Sequence, residues 1–314
     1  MNPKHIILFL FIALFSCKQN REELATNIVT KSSNLNSQKT NGNASENFTE
    51  GTIDIDIYFP GNNLSALLKK ADLSKGSIEQ QMESMMATLS QGEKDRINET
   101  MKGNPVIALQ IMMAPLLKNT VYVKGERVTA KCDGLTYHLE NTLNVKSGTG
   151  TVYMASQANP DNAITINYDE DFFGEGEFQT KIDLESYNRK ETNETKTVAG
   201  YKCKKSIYTL KKTSPMGIEK LEIWTSPQMP KSLNFIHPYY LEEDYGIMKI
   251  DLFPVIGNGK EAAMVYELKT VMPTRVSDTE LKIKQNSPVY NAKTDLLKIA
   301  GKLMEIMFGN QKYD

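Results

Sequence analysis

The clearest chemistry in this sequence belongs to Cys17, the last residue of the segment Leu14-Phe15-Ser16-Cys17. An apolar run over residues 6–15 precedes it, behind Lys4, and is shorter than the about 20 apolar residues that a membrane-spanning helix needs. This pattern is typical of a bacterial lipoprotein signal, in which the cysteine thiolate accepts a diacylglyceryl group. It predicts removal of residues 1–16 and anchoring of the mature chain in a membrane through acyl chains on Cys17. No Asp follows Cys17, which favours the outer membrane.

The two other cysteines, Cys132 and Cys203, allow two interpretations. An even pair in an oxidising cell envelope can form a disulfide. Alternatively, both remain free and buried, where each thiol acts as a small apolar group. The lysines next to Cys203 would lower its thiol pKa if they faced it, but strand alternation predicts exposed lysines around an inward cysteine. The pairing stays open at this point because a disulfide requires a short distance between the two Cα atoms.

Two groups of residues suggest metal binding, and both patterns are incomplete. His138 and His237 are the two histidines after the signal peptide, and no further ligands stand at the spacing of a zinc site. We interpret His138 as a strand residue and His237 as part of an exposed aromatic and acidic loop, residues 237–245. Residues 167–171 begin like a calcium-binding EF-hand loop, but Phe172 replaces the glycine that such a loop requires. The sequence therefore predicts no metal.

Composition and motifs also argue against catalysis and nucleic-acid binding. The formal net charge is −1, so no basic field exists to attract a phosphate backbone. The sequence contains no Gly-x-Ser-x-Gly elbow, Walker loop or dinucleotide-binding fingerprint. We therefore predict no catalytic residues, no cofactor and no nucleic-acid partner.

Methionine is the most suggestive residue type in the folded part. The chain has 15 methionines, and several lie in a region with helical spacing of apolar residues. Methionine adapts to irregular apolar ligands, so this region could line a lipid cavity, although stripes at helical spacing are also typical of a core. The possible apolar ligand contacts are Met82, Met85, Met86, Leu109, Met112 and Met113.

Alternation of apolar and polar residues dominates the elements that would position these side chains. Ile53, Ile55 and Ile57 fall on one face of a strand, and Asp54 and Asp56 fall on the other. Similar runs predict strands at Val121–Val123, Val128–Cys132, Leu135–Leu139, Thr149–Met154, Ile164–Tyr168, Phe178–Leu184, Tyr201–Leu210, Ile218–Trp224, Ile247–Phe253, Met264–Val271 and Arg275–Ile283.

These elements predict a mainly β fold with some helix (α+β): a curved antiparallel sheet or half-barrel with helices over its concave face. Residues 17–48 are polar and predict a flexible tether with a mean reach of about 30 Å. The half-barrel domain spans 49–288, with a helical insertion at 77–117 in which Ser90-x-x-Glu93 predicts a helix start. An amphipathic helix follows within 289–314.

Two short motifs resemble an uncharacterised family of envelope proteins that is common in Bacteroidota. They are Gly200-Tyr201-Lys202-Cys203-Lys204-Lys205 and Leu221-Glu222-Ile223-Trp224-Thr225, and the hairpin at 121–128 also matches. Domains of this family are similar in fold to the lipoprotein carriers LolA and LolB, whose half-barrel and helices enclose an apolar cavity. The resemblance implies a lipid- or lipoprotein-handling role without catalytic residues.

The sequence leads to two principal hypotheses for the function, ahead of a third, an enzyme, which would require His138, His237 or acidic residues to meet in one cleft. The first is a lipid-anchored envelope protein that binds an apolar ligand, either a lipid or a lipoprotein's acyl chains, in a LolA-like cavity. The second is a non-catalytic envelope scaffold or interaction protein with a filled core, which holds a partner through an exposed face, for example near residues 237–245.

Overall fold

The computed structural model describes residues 47–61, 63–72, 75, 78–102, 111, 113–169, 186–212, 218–236, 241, 243–254 and 262–309. Cys17, the signal peptide and nearly all of the predicted tether lie outside the described residues, as do Leu109, Met112, His237 and the predicted strand Phe178–Leu184. None of the helices in this part of the chain is both long and apolar enough to cross a membrane.

The described residues form one sheet of twelve strands and a few helices, which confirms the predicted mainly β fold. The strands are β1 (Glu50–Tyr58), β2 (Lys118–Lys124), β3 (Arg127–Asp133), β4 (Tyr137–Asn144), β5 (Thr149–Ser156), β6 (Ala163–Tyr168), β7 (Tyr187–Val198), β8 (Tyr201–Leu210), β9 (Ile218–Ser226), β10 (Gly246–Pro254), β11 (Met264–Met272) and β12 (Val289–Asn291). The helices are α1 (Leu64–Leu68), α2 (Ile78–Ala87), α3 (Gln91–Lys102), a 3₁₀ helix (Lys231–Ile236) and α4 (Leu296–Phe308).

The strand order in the sheet is β12-β6-β5-β4-β3-β2-β1-β11-β10-β9-β8-β7. Neighbouring strands are antiparallel, except that β12 runs parallel to β6. The sheet therefore consists of two meanders of consecutive strands, β1–β6 and β7–β11, which are joined by the pairing of β1 with β11, and β12 is added at the edge beside β6.

Alternation divides the sheet into two faces. In β1, Ile53, Ile55 and Ile57 are buried, and the residues between them are half-buried. Ile53 pairs with Val121 of β2, and such apolar residues continue across the strands as one face, called here the apolar face. Asp54 pairs with Thr120 on the opposite side, called here the polar face.

Buried side chains form two principal clusters. The main core joins the three leucines of α1 to residues of the central strands, such as Ile57 and Ile250. The second core joins Ile164 and Ile166 of β6 to Ile299 and Ile306 of α4. Burial of one such side chain stabilises the fold by about 1.5–3 kcal/mol, so these contacts hold the helices to the sheet.

The start of α3 follows the predicted capping box. The Ser90 backbone N–H and hydroxyl donate to Glu93 Oε2 at 3.0 and 2.7 Å, and the Glu93 N–H donates to Ser90 Oγ at 3.4 Å. This exchange satisfies backbone donors that a helix start otherwise leaves without partners.

Residues 273–288, called here the crossing segment, pass over the polar face from β11 to β12. The Val276 N–H donates to Glu50 of β1 at 2.8 Å, and the Lys284 N–H donates to Glu140 of β4 at 2.7 Å. The predicted strand at Arg275–Ile283 is therefore wrong. The crossing segment runs across several strands, and its backbone forms hydrogen bonds with their side chains. It therefore forms no ladder of backbone hydrogen bonds with any one strand.

Candidate functional site

Three of the four described methionines that were proposed as ligand contacts lie against the protein's own core. Met82, Met85 and Met86 of α2 are half-buried and pack on the main core. Met113 is 37% exposed, and its backbone carbonyl accepts a hydrogen bond from the hydroxyl of Tyr137. Because α2 is short and carries mostly polar residues between them, these methionines attach the described part of the helix to the main core.

The two remaining cysteines are free, so the disulfide interpretation is corrected. Cys132 lies on β3 and Cys203 on β8, and five strands stand between these two in the sheet. Both thiols are buried, and burial raises the pKa of Cys132 to about 12 and that of Cys203 to about 11. The raised pKa values favour the protonated form of both thiols, and a protonated thiol is a poor nucleophile.

His138 is held between two carboxylates on the polar face. Its Nδ1 lies 2.7 Å from Asp133 Oδ1, and its Nε2 lies 3.0 Å from Glu140 Oε1. The hydrogen bond with Asp133 raises the pKa of His138, with a further contribution from Glu140, and together they outweigh partial burial. Because Glu140 also accepts the Lys284 N–H at 2.7 Å, this cluster fastens the crossing segment to the sheet. We call these three side chains the histidine clamp.

Trp224 is the centre of a polar network that extends over five strands. Its Nε1 donates to Asp251 Oδ2 at 3.2 Å, and Asp251 pairs with Lys249 at 3.0 Å. The ammonium of Lys196 lies 4.3 Å from the Trp224 ring centroid, and burial together with the nearby Lys249 lowers the pKa of Lys196 to about 8. The network continues to Glu267 of β11. Its acids and bases are largely paired with one another, which indicates a structural role.

The loop before β10, which we expected to be exposed, is anchored at its end by an ion pair between a buried carboxylate and a partly exposed arginine. Glu243 is 3% exposed and accepts from Arg189 Nη2 at 2.9 Å and Nε at 3.2 Å. Tyr208 donates to the same carboxylate at 2.6 Å. The side-chain amide of Asn234 donates to the Tyr245 carbonyl at 3.0 Å, whereas the Tyr245 side chain is 50% exposed.

A cavity with a volume of about 480 Å³, called here the polar cleft, lies at the ends of β3 to β6. Its walls are formed by Arg127, Thr142, Leu143, Asn144, Thr149, Gly150, Thr151, Asn167, Tyr168, Asp169, Asn291, Ala292 and Lys293. Ligand sites commonly have volumes of about 300–1,000 Å³, so the cleft is large enough for a small ligand or a segment of a partner.

The cleft presents mainly hydrogen-bond donors. Asn144 Oδ1 accepts the backbone N–H of Lys146 at 3.0 Å, and Asn291 Oδ1 accepts that of Lys293 at 2.9 Å. The amide groups of both asparagines are thus left to donate, beside the guanidinium of Arg127. One nitrogen of this guanidinium, Nη1, lies 3.7 Å from the exposed Asp278, so the group as a whole keeps further N–H donors. Asp169 Oδ1 is a buried acceptor without a hydrogen-bond partner, although Oδ2 pairs with Lys293 at 2.9 Å.

Gly150 and Tyr168 together form one wall of the cleft. A Cβ atom on Gly150 would lie 2.1 Å from the Tyr168 ring, so only glycine fits against this ring. Tyr168 is 5% exposed, and its hydroxyl donates to Asn141 Oδ1 at 2.6 Å. The ring of Tyr168 is therefore held in place by packing on Gly150 and by this hydrogen bond.

The aborted calcium motif contributes to this cleft. Asn167 and Asp169 line it, whereas the rest of the motif, from residue 170, lies outside the described residues. Within the part of the chain that the structure describes, no group of three or more His, Cys, Asp or Glu is placed to hold a metal ion.

Comparisons with known proteins assign no family to this chain. No family model and no curated protein matches it. Two solved structures of PNGF-II share 16% and 14% identity with it, at TM-scores of 0.37 and 0.33. These similarities cover 59% and 61% of this chain but only 30% and 31% of the PNGF-II chain, so this chain spans less than a third of that protein.

Proposed function

We propose that this chain is a lipid-anchored, non-catalytic protein of the cell envelope that holds a partner in the polar cleft. The proposal rests on the contrast between the apolar face of the sheet and the polar cleft. The apolar face is packed with the protein's own side chains, whereas the polar cleft is open and rich in donors. The expected partner therefore offers oxygen acceptors to Arg127 and the two asparagine amides, and a hydrogen-bond donor to Asp169.

The proposal includes a half-barrel whose helices cover the concave face. The 3₁₀ helix follows β9 yet lies close to β3, and four strands stand between β9 and β3 in the sheet. Such an approach requires strong curvature of the sheet. The contacts of α1, α2 and α4 with the two cores then support helices on the inner side.

A filled concave face favours partner binding over lipid binding. Tyr208 and Tyr266, two of the largest side chains on the apolar face, are 0% and 1% exposed. Protein interiors pack as densely as organic crystals, so an acyl chain could enter only by displacing these groups. The lipid-handling role that the family resemblance implies would require such a displacement.

Site-specific photo-crosslinking tests the proposal in whole cells. A photo-reactive residue replaces Thr149, which lies in the cleft and is exposed, or Thr197, which is equally exposed on β7 at the opposite edge of the sheet. We expect one reproducible adduct from position 149 and none of that mass from position 197. Adding Arg127→Ala should weaken the adduct about tenfold, because an Arg side chain at the centre of a binding site is commonly worth at least 1–2 kcal/mol.

Two results of the same experiment would contradict partner binding in the polar cleft. Equal adducts from both positions, or an adduct from position 149 that persists at full strength after Arg127→Ala, would show that the cleft does not select the partner. An unchanged melting temperature of the Arg127→Ala protein is the control for folding.

A further inference from the structure

Helix α4 has more apolar surface than its contact with the sheet uses. Its 13 residues include three charged side chains, Lys298, Lys302 and Glu305, which lie together on one side of the helix. The remaining positions are apolar or glycine and cover more than half of the helix circumference. A helix that packs on a single sheet needs a narrower stripe, so part of this surface has another role.

The inner part of this surface is fully used. Ile299 and Ile306 are each 1% exposed in the second core, and Leu303 and Met307 pack against the same cluster. These positions recur every three or four residues, as one side of an α-helix requires. They fix the orientation of the helix on β5 and β6.

The outer part forms a second stripe, called here the outer stripe: Leu297, Gly301, Met304 and Phe308. Leu297 is 85% exposed, the highest value among the exposed large hydrophobic residues of the described chain. A Cβ atom on Gly301 would meet nothing within 4 Å, so the middle of the stripe is also open. Met304 and Phe308 are half-buried and lie outside the second core.

We propose that the outer stripe docks on the surface of a lipid bilayer and thereby orients the anchored domain. This inference rests on the lipid anchor in the proposed function, because acyl chains on Cys17 would hold the domain within the reach predicted for its tether. An α-helix of this length extends about 20 Å, too short to cross the hydrocarbon layer, so it lies in the plane of the interface.

The charges beside the outer stripe suit an anionic lipid surface. Lys298 is 71% exposed along its side chain, next to Leu297, and Lys293 is 50% exposed just before the helix. Both lysines form exposed ion pairs, Lys298 with Asp295 at 3.2 Å and Lys293 with Asp169 at 2.9 Å. An exposed ion pair contributes only about 0–1 kcal/mol, so a lipid phosphate can compete with the carboxylate for each lysine. Exposed lysines next to an apolar stripe are typical of helices that bind the interface of anionic membranes.

Vesicle flotation of a soluble protein that starts after Cys17 tests the inference without the anchor. The vesicles contain phosphatidylethanolamine and phosphatidylglycerol. We expect the protein to float with them, and the double variant Leu297→Glu/Met304→Glu to partition at least about tenfold more weakly. Met272→Glu is the matched control, since Met272 is a 44% exposed methionine on β11, and it should float like the wild type.

Each other outcome contradicts membrane docking. A double variant that floats as well as the wild type would exclude the outer stripe as the membrane contact. The wild type could instead stay unbound and sediment as a dimer, while the double variant sediments as a monomer. That result would assign the outer stripe to contact with a second copy of this chain. Arg127→Ala should float normally, so loss of flotation and loss of the partner adduct are separate results.

Discussion

Replacing Arg189 by alanine is expected to lower the free energy of unfolding by about 3 kcal/mol. The substitution leaves the carboxylate of Glu243, which is 3% exposed, without its bidentate cation. The expected loss is at the lower end of the range for broken buried ion pairs, because the Arg189 side chain is itself 36% exposed and water can partly replace it. Urea unfolding followed by tryptophan fluorescence measures the effect.

The neighbouring Lys190 supplies the control for this measurement. It is exposed on the same edge strand, so Lys190→Ala should change the stability by less than about 0.5 kcal/mol. The double variant Arg189→Met/Glu243→Leu removes both charges and should recover most of the loss. Equal effects of Arg189→Ala and Lys190→Ala would show that the pair does not stabilise the loop before β10.

Replacing His138 by glutamine is expected to destabilise the protein by about 2 kcal/mol at pH 5.5 and by much less at pH 9. The raised pKa of His138 means that its stabilising charge is fully present below its unfolded value of 6.5 and is lost as the pH rises through the folded value. Burial raises the pKa of Asp133 and Glu140, but hydrogen bonds, including those to His138, outweigh it and lower both. Their contribution is present above about pH 4.5 and is lost on acidification.

The histidine clamp should therefore contribute most between about pH 4.5 and 6.5. Urea unfolding of the wild type and His138→Gln at pH 5.5, 7 and 9 tests this window, because the difference between the two proteins isolates the clamp. A difference that stays constant over the whole range would mean that His138 is not the titrating group.

Strand alternation predicted most of the sheet because one face of each central strand is buried. It missed β7, whose sequence is almost entirely polar and exposed. Such an edge strand is held by its ladder with β8 and by side-chain contacts such as Arg189 with Glu243 and Lys196 with Trp224, none of which leaves an apolar pattern in the sequence. Its charges protect the sheet from pairing with other chains. The crossing segment was misassigned for a related reason, since apolar side chains such as Leu281 and Ile283 alternate there without a neighbouring strand.

The polar cleft could not be predicted because its walls come from distant parts of the chain. Asn144 and Thr149 flank one turn, and Asn167 is the second-last residue of β6. Asn291 and Lys293 join them only through the parallel pairing of β12 with β6. The calcium-like spacing at 167–171, which lacks the required glycine, was the one signal in this region, and Asn167 and Asp169 of that motif line the cleft.

The predictions for His138 and for the two cysteines were limited in the same way, because the sequence does not show which residues the strand pairing brings together. The prediction of His138 as a strand residue agrees with its position on β4, but its partner Asp133 lies at the end of β3, and only the hairpin brings the two together. The disulfide hypothesis depended on the number of cysteines, whereas the strand order places Cys132 and Cys203 on strands with five others between them.

Native mass spectrometry with lipid extraction, on soluble protein purified from the periplasm, tests the filled concave face most directly. We expect a protein mass equal to that of the chain alone and no lipid in the extract, because the apolar face is occupied by the protein's own side chains. A stoichiometric lipid that accompanies the folded monomer would contradict the account and would return the function to apolar ligand binding.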